Sequence, residues 1–206
     1  MIKKIIKELS TEASKRGIYF ALLMNISHFV AIMRGFFYRL IYIKHIESSI
    51  FFMQSNSKIE IFNKHSKVSI GKFVFIRKNA SFRVDFHGQL VISDHVFIND
   101  NCNINCVNRV EIGRKTKIAP NVCINDHDHN YKNTSNQHLI TGDVIIGENV
   151  WIGSNVVILK DTFIGDNAVI AAGSVVKGHV PANSLYMNKR EEKFIPFSRE
   201  SKLVTS

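Results

Sequence analysis

From residue 70 onward, an aliphatic residue recurs at every sixth position, with a few interruptions. The series comprises Ile70, Ile76, Ile92, Ile98, Ile104, Ile112, Ile118, Ile124, Ile146, Ile152, Ile158, Ile164, Ile170 and Val176. Four residues after most of these positions the chain has a small or β-branched residue: Val74, Ala80, Val96, Cys102, Thr116, Val122, Val150, Val156, Thr162 and Ala168. A period of six fits neither an amphipathic helix nor an alternating strand. It predicts a solenoid of short parallel strands, three hexads per coil, whose neighbouring coils cover each other's apolar side.

A second column of the repeat is occupied by asparagine and aspartate. It comprises Asn79, Asn101, Asn121, Asn149, Asn155, Asp161 and Asn167. These residue types tolerate positive φ better than other non-glycine residues, so they predict corners that recur at fixed spacing. Glycine often follows the aliphatic residue, at Gly71, Gly113, Gly147, Gly153 and Gly165. We expect these glycines at turns as well.

The segment "IGENVWIGSNVVILKDTFIGDNAVIAAGSVV" (146–176) resembles the hexapeptide-repeat acyltransferases. The resemblance covers roughly residues 70–180 and is most specific over 144–181. It is strongest to the branch of galactoside, maltose and polysaccharide O-acetyltransferases. The resemblance implies an all-β fold, a left-handed parallel β-helix. It also implies a homotrimer, with active sites between adjacent β-helices and acetyl-CoA as the donor.

The repeat also divides the chain. We expect an N-terminal amphipathic helical segment over residues 1–55 and the β-helix over 56–180. A loop at 125–143 interrupts the β-helix, and a C-terminal tail occupies 181–206. Insertions in solenoids form loops on one side, and such loops often carry function.

Composition places the chain among folded proteins, with 45% hydrophobic and 21% charged residues. The formal net charge of +10 indicates an anionic partner, such as nucleic acid, a membrane surface or a phosphorylated small molecule. Residues 1–50 hold half of that excess, with eight basic residues against three acidic ones. Only the charge favours nucleic acid, so we expect no nucleic-acid partner.

The apolar run "IYFALLMNISHFVAIM" (18–33) is short for a membrane span and is interrupted by polar residues. Two interpretations stay open: a helix packed on the main domain or a neighbouring subunit, or a helix lying on the cytoplasmic leaflet. The preceding segment "MIKKIIKELSTEASKRG" is too charged for a secretory signal. We therefore expect a cytoplasmic protein, alternatively one held at the inner face of the membrane.

The loop begins with "INDHDHNY" (124–131), which concentrates histidine and aspartate. Transfer of an acetyl group from a thioester to a hydroxyl requires a base for the hydroxyl proton. Histidine suits this role because its unperturbed pKa lies near 6.5. A nearby carboxylate or backbone carbonyl would fix the tautomer of the ring.

The resemblance implies one of two histidines as the base. Counting eleven residues forward from Ile118 gives His129, whereas counting twenty-four residues back from Trp151 gives His127. The coil before the loop is rigid and the loop varies in length among relatives, so this comparison favours His129. His138 is expected to be a surface residue.

The same alignment with the family, counted from the coil before the loop, implies an acceptor-binding stretch at "FINDN" (97–101), with Asn99 and Asn101 as substrate-binding residues. On the coenzyme side, the family's motifs match at Trp151, Ser154 and Ala172. Small residues suit contact with a thin pantetheine arm, which must lie against the backbone.

Further coenzyme contacts are implied after the last hexad. Lys177 and Gly178 match a coenzyme-binding position of the family, where Lys177 would neutralise phosphate as a point charge. Beyond "VPANS" (180–184) the chain departs from the family pattern with "LYMNKREEKF" (185–194). Arg190, within this stretch, is a further candidate for binding the phosphates.

A metal site requires three or four converging ligands. His127 and His129 could approach one metal, but the third ligand would have to be His95 or His138, neither at a convincing spacing. We expect no metal. Cys102, Cys106 and Cys123 form no C-x-x-C pair and are odd in number, which predicts reduced thiols.

The sequence therefore predicts an acetyl-CoA-dependent O-acetyltransferase acting on a sugar hydroxyl, such as that of a surface polysaccharide or its precursor. Two alternatives stay open. One is an N-acetyltransferase of an amino sugar nucleotide, since such enzymes share the β-helix. The other is a catalytically silent β-helix that serves as a scaffold.

Overall fold

The chain forms a helix followed by a three-sided solenoid of short strands. A computed structural model describes residues 11, 14–131 and 138–188. Helix α1 spans Ile18–Ile41. Face 1 of the solenoid consists of β1 (Ile46–Ser48), β4 (Lys67–Ile70), β7 (Gln89–Ile92), β10 (Arg109–Ile112), β15 (Asp143–Ile146) and the later parts of β17 (Val157–Ile164) and β19 (Val175–Val180).

The other two faces follow in the same order along each coil. Face 2 consists of β2 (Phe52–Met53), β5 (Phe75–Ile76), β8 (Phe97–Ile98), β11 (Lys117–Ile118), β16 (Trp151–Ile152), β18 (Val169–Ile170) and β20 (Leu185–Tyr186). Face 3 consists of β3 (Lys58–Ile61), β6 (Ser81–Val84), β9 (Asn103–Cys106), β12 (Cys123–Asn125) and the first parts of β17 and β19. A two-stranded antiparallel ribbon, β13 (His127–His129) and β14 (Leu139–Thr141), stands apart from the three faces.

Three strands make one coil, and the strands of successive coils pair in parallel. Coils 1 to 4 cover residues 46–61, 67–84, 89–106 and 109–125, coils 5 and 6 cover 143–158 and 162–176, and a partial coil 7 covers 178–186. The aliphatic series points inward, and all of its members are at most 2% exposed. Each buried aliphatic side chain contributes about 2 kcal/mol, but only when the next coil covers it. The predicted solenoid is confirmed.

The small inward column is also buried at every predicted position. Thr116 shows how a hydroxyl is tolerated there: its Oγ1 donates to the Gly147 carbonyl at 2.8 Å and accepts from the Val150 N–H at 3.1 Å. Because a buried hydroxyl without partners is costly, these two bonds keep the position compatible with the core.

The seven predicted asparagine and aspartate corners all have positive φ, between 54° and 61°. We name the corners by the faces they join: corner A joins faces 1 and 2, corner B joins faces 2 and 3, and corner C joins faces 3 and 1. The glycines after the aliphatic residues have a different role from the expected one, since none of the five is among the positive-φ glycines. A Cβ on Gly113 would lie 2.4 Å from the Gly147 backbone, and one on Gly153 would lie 2.6 Å from the Ala172 nitrogen. Close approach of coils, rather than turn geometry, requires glycine there.

The solenoid begins at Ile46, where β1 pairs with β4, whereas the sequence places the start of the β-helix at residue 56. The first coil lacks a regular hexad series, because its inward positions include Phe51, Met53 and Ile59. The six-residue aliphatic period therefore does not extend to this coil.

Helix α1 covers the open end of coil 1 with one side. Ala31 and Gly35 are buried, and Gly35 lies directly against Phe51. Arg34 Nη1 donates to the Met53 carbonyl at 3.2 Å, which satisfies a backbone group of β2 at the end of its sheet. A cap of this kind is needed because the first coil of a solenoid has no preceding coil.

The helix is longer than the apolar run 18–33, because Arg34 and Gly35 both find partners on coil 1 and do not interrupt it. By length and composition alone it could span a membrane, a test that core helices also pass.

Candidate active site

The chain leaves the solenoid at Asp126, directly after β12, and returns at β15. Between these points, β13 and β14 pair with His127 opposite Thr141 and His129 opposite Leu139. The Gly142 N–H donates to the Asp126 carbonyl at 2.8 Å, which closes the base of this ribbon. The ribbon therefore projects from corner C at the level of coil 4.

Asp126 is fully buried, with 0% exposure. Its carboxylate accepts hydrogen bonds from the Val107 N–H at 3.0 and 2.9 Å and from the Asn108 N–H at 2.7 Å. A buried carboxylate is tolerated only when donors compensate for lost hydration. These two backbone groups belong to the turn of coil 3 beneath the loop, so Asp126 ties the loop to the coil below.

Cys106 lies under the same carboxylate. Burial raises the pKa of the Cys106 thiol, and the neighbouring Asp126 raises it further, through its charge and a hydrogen bond. Cys102 is buried one corner away, and burial raises its pKa to about 11. All three cysteines are free thiols, with Cys123 half-buried. Neither Cys102 nor Cys106 is in the thiolate form that a nucleophile requires.

His127 takes the remaining hydrogen-bonding capacity of Asp126. Its Nδ1 lies 2.9 Å from Asp126 Oδ1, and the side chain is 19% exposed. Since a carboxylate only accepts, Nδ1 is the donor of this bond, and in the neutral ring Nε2 is then the nitrogen with the lone pair. The imidazole is thus fixed in orientation and tautomer, with Nε2 as the remaining proton acceptor of the ring.

His129 lies two residues further along β13, so its side chain lies on the same side of the ribbon as that of His127. It is exposed, and its ring packs edge-to-face against His138 at 5.3 Å between centroids. The carboxylate of Asp126 contacts His127. Of the two candidate histidines, His127 is thus the one that contacts a buried carboxylate, whereas sequence counting favours His129.

Four of the predicted binding residues lie together at corner B: Asn99, Asn101, Ser154 and Ala172. Asn101 is part of an amide ladder, since it accepts from Asn79 Nδ2 and donates to Asn121 Oδ1, both at 3.1 Å. Face 3 separates this corner from His127 by a strand of four residues, about 13 Å at ~3.3 Å per residue. Within one chain, the structure does not bring these two groups of residues together.

Trp151 begins the face 2 strand directly after corner A and is 61% exposed, as its outward position predicts. Its neighbours in the sheet are Lys117 and Val169. Lys177 and Gly178 lie on β19 where it passes corner C, with Gly178 opposite Thr162. Lys177 is exposed, whereas Arg190 lies outside the described residues.

The residues around coils 5 and 6 fit the acetyl-CoA that the sequence predicts. The outward side of face 3 is apolar there, with Val157 opposite Val175 and Leu159 two residues along. The small residues of corner B border this surface on one side, and Lys177 borders it on the other. A surface of this composition suits the hydrocarbon and amide portions of a pantetheine arm, with a cation for phosphate.

Asp126 is the functional candidate that the sequence did not single out. Its signal is its position: two residues after the inward Ile124, alternation directs it into the core, where coil 3 has Cys106. A charged residue at an inward position next to a histidine indicates a paired carboxylate. Among the residues that the structure describes, no group of three or more His, Cys, Asp or Glu is arranged to hold a metal.

Comparison with known proteins identifies relatives of this arrangement. Residues 143–178 match the family "Bacterial transferase hexapeptide (six repeats)". The chain is 36% identical over 134 residues to the putative lipopolysaccharide biosynthesis O-acetyl transferase WbbJ of Escherichia coli K12, covering 59% of this chain and 68% of that protein. It is 33% identical over 128 residues to the galactoside O-acetyltransferase of the same organism, covering 61% of this chain and 62% of that protein.

A hexapeptide-repeat acetyltransferase of Vibrio cholerae O1 biovar eltor, crystallised with acetyl coenzyme A, is similar in structure. The TM-score is 0.51 at 32% sequence identity, over 56% of this chain and 63% of that one. The chain thus spans about two thirds of the length of each of these relatives. The predicted fold, a left-handed parallel β-helix with an N-terminal helix, is confirmed.

Proposed function

This chain belongs to the hexapeptide-repeat acyltransferase family, and we propose that it transfers the acetyl group of acetyl-CoA to a hydroxyl of a sugar in a surface polysaccharide or its precursor. The observation that carries the proposal is the pair formed by the buried Asp126 and His127. The names of WbbJ and the galactoside enzyme support a sugar hydroxyl as the acceptor.

In the proposed reaction, His127 is the general base. Its Nε2 accepts the proton of the acceptor hydroxyl while the hydroxyl oxygen bonds to the acetyl carbonyl carbon. The carbon–sulfur bond of the thioester breaks, and the coenzyme thiolate takes the proton from the imidazolium. Asp126 holds Nδ1–H throughout and stabilises the imidazolium while it exists, as a buried carboxylate partner does in other histidine-based enzymes.

The active site is completed between two copies of the chain. The support for this is the separation within one chain: His127 lies at corner C, whereas Ser154, Ala172 and the acceptor candidate Asn99 lie at corner B. In the homotrimer that we propose, corner B of one copy faces corner C of the next. Acetyl-CoA then lies between them, beside Trp151 and Lys177.

The protein is proposed to work in the cytoplasm, at the inner face of the membrane. Helix α1 exposes large apolar side chains three or four residues apart, and therefore on one side of the helix: Leu22, Ile26, Phe29, Met33, Phe36 and Leu40. Lys15 and Lys44 flank the helix with positive charge. The opposite side of the helix packs on coil 1. A helix that lies in the plane of an anionic leaflet would therefore bury its exposed apolar side in the membrane and keep its packing on the solenoid.

Co-sedimentation with vesicles tests the membrane contact. The full chain should pellet with phosphatidylcholine/phosphatidylglycerol vesicles, and Phe29→Glu combined with Phe36→Glu should abolish pelleting. Leu185→Glu, at the far end of the solenoid and 59% exposed, is the matched control. If the double variant pellets like wild type, or changes only the mass measured by light scattering, the membrane contact is wrong.

Transfer of labelled acetyl groups tests the enzymatic proposal. The acceptors are surface glycans of the source organism, stripped of acetyl esters by mild alkali. His127→Ala should lower kcat/KM about 10²–10⁴-fold, the usual contribution of a general base. His129→Ala should lower it less than tenfold, and His95→Ala at corner A is the matched control.

Each other outcome has a definite meaning. A larger loss in His129→Ala would return the base to His129, and full activity of both variants would refute the mechanism. Transfer only to amino acceptors would identify an N-acetyltransferase. No transfer to any acceptor, with no acetyl-CoA binding by calorimetry, would identify a scaffold.

A further inference from the structure

The outward side of face 3 changes its chemistry at the level of the catalytic loop. On coils 5 and 6 it is mainly apolar, with Val157, Leu159 and Val175, and the exposed Lys177 follows toward corner C. On coils 1 to 4, one column of paired positions is polar throughout. Glu60 lies opposite Arg83, Arg83 opposite Asn105, and Asn105 opposite Asn125. We call these four residues the polar column.

The polar column ends beside the proposed base. Asn125 is two residues before His127, on the strand that leads into the loop. Asn105 Nδ2 donates to Asn125 Oδ1 at 2.8 Å, which orients both amides. Asn125 Nδ2 also donates to Cys123 Sγ at 3.3 Å, and each amide has two N–H donors and an oxygen with two lone pairs, more than these two bonds use. The pair is therefore an oriented set of donors and acceptors close to His127 along the chain.

The far end of the column combines charges with an aromatic ring. Arg83 is 57% exposed in its side chain, and its Nη2 lies 3.6 Å from Glu60 Oε2. Its guanidinium lies 6.0 Å from the centre of the Phe62 ring, and Phe62 is 58% exposed. An exposed ring next to a carboxylate and a guanidinium matches a sugar, whose C–H face packs on aromatic rings and whose hydroxyls need donors and acceptors.

We propose that the polar column and Phe62 form an extended acceptor subsite, which binds sugar units beyond the one that is acetylated. The inference rests on the proposed function and narrows its substrate class to oligosaccharides or polysaccharide chains. Asn105 and Asn125 bind the units next to the reacting sugar, and Arg83, Glu60 and Phe62 bind more distant ones.

The dimensions of the solenoid support several sugar units. Neighbouring coils are spaced as paired strands are, so coils 1 to 4 span about 14 Å, three rises of ~4.8 Å. One rise is comparable to the length of a sugar ring. A chain along the column would extend from His127 toward the end that α1 covers, and an acceptor with a lipid at its far end would thus leave the site on the side of the exposed apolar helix.

Dependence of the rate on acceptor length tests the subsite. The probes are di- to hexasaccharides from partial hydrolysis of the deacetylated surface glycan. In wild type, kcat/KM should rise about tenfold or more with length, because longer acceptors gain hydrogen bonds to charged groups of the column. Arg83→Ala and Phe62→Ala should each reduce the ratio of kcat/KM for hexa- over disaccharide.

The matched control is Arg109→Ala, which removes an exposed arginine with a glutamate partner from face 1 and should leave that ratio unchanged. A wild-type rate independent of length would overturn the subsite, although the proposed function would stand. An equal loss at all lengths in Arg83→Ala, or a change of oligomeric mass by light scattering, would also overturn it. Absence of transfer to every probe would instead refute the proposed function.

Discussion

Corners B and C of the solenoid meet the same geometric demand in different ways. At corner B, asparagines on successive coils adopt positive φ and bond to each other: Asn79 to Asn101, Asn101 to Asn121, and Asn121 to Asn155 at 3.2 Å. At corner C, coil 4 instead turns outward through Asp126, and the carboxylate bonds to the turn of the coil below.

The difference shows how a repeat protein acquires a site. A ladder of identical residues spreads a small stabilisation over every coil, and any one rung is replaceable. Asp126 concentrates several bonds at one buried point, which is costly to build unless every donor is present. The same carboxylate also bonds to His127 through Oδ1, so stability and the proposed chemistry depend on one residue.

Removal of Asp126 should have the largest effect. Asp126→Ala leaves the Val107 and Asn108 N–H groups without their acceptor and His127 without its partner. We expect a loss of about 3 kcal/mol in the free energy of unfolding, measured by urea denaturation. In protein that remains folded, kcat should fall as well, because Nδ1–H loses the group that orients it.

Asp94→Ala is the matched control at corner A, where the half-exposed Asp94 Oδ1 accepts one bond from the Lys72 N–H at 2.7 Å. Solvent can replace that bond, so the cost should be about 1 kcal/mol. Equal losses in the two variants would contradict the conclusion that the stabilisation by Asp126 comes from several bonds concentrated at one buried point.

Replacing one asparagine of the corner B ladder should lower the free energy of unfolding less than Asp126→Ala does. Asn121→Ala keeps a Cβ at a φ of 61° but removes the amide group that forms two ladder bonds. The expected cost is about 1–2 kcal/mol. Asn121→Gly keeps the backbone unstrained and should cost less than the alanine variant. If the glycine variant is the less stable of the two by urea denaturation, the expected relief of strain at this φ is wrong, because both variants lose the same ladder bonds.

The smallest effect concerns the thiols, where labelling should distinguish the environments without changing the fold. At about pH 8, iodoacetamide should modify the half-buried Cys123 and leave the buried Cys102 and Cys106 intact. Mass spectrometry of the treated protein identifies the modified residues. The unfolded thiol ionises near pKa 9.0, and burial raises the pKa of Cys102 to about 11. The contribution of Cys102 to stability is therefore present below pH 9 and is lost as pH rises toward 11.

Denatured protein, in which all three thiols should react, is the control for that experiment. Labelling of Cys106 in the folded chain at pH 8 would mean that corner C opens, since burial and Asp126 both keep its thiol protonated.

The periodic parts of the molecule were predictable because residues within one hexad decide which side chains turn inward and where the chain turns. Inward aliphatic residues, small residues and positive-φ asparagines recur at fixed offsets, and each offset has its own steric reason. The glycines were found for the wrong reason: Gly113 and Gly153 are required by the coil above, a contact that the sequence does not display. The six-residue period did not predict coil 1, because Phe51, Met53 and Ile59 occupy its inward positions in place of a regular aliphatic series.

The sequence by itself determined the solenoid, its family and the loop that carries the candidate base, because a six-residue period specifies which side chains turn inward. Only the tertiary structure showed that the buried carboxylate of Asp126 contacts His127, which is the reason for our choice of His127 over His129 as the proposed base. That choice depends on Asp126 reaching the turn of coil 3, nineteen positions back at Val107. Parallel stacking sets such contacts between coils, and no spacing within one coil encodes them.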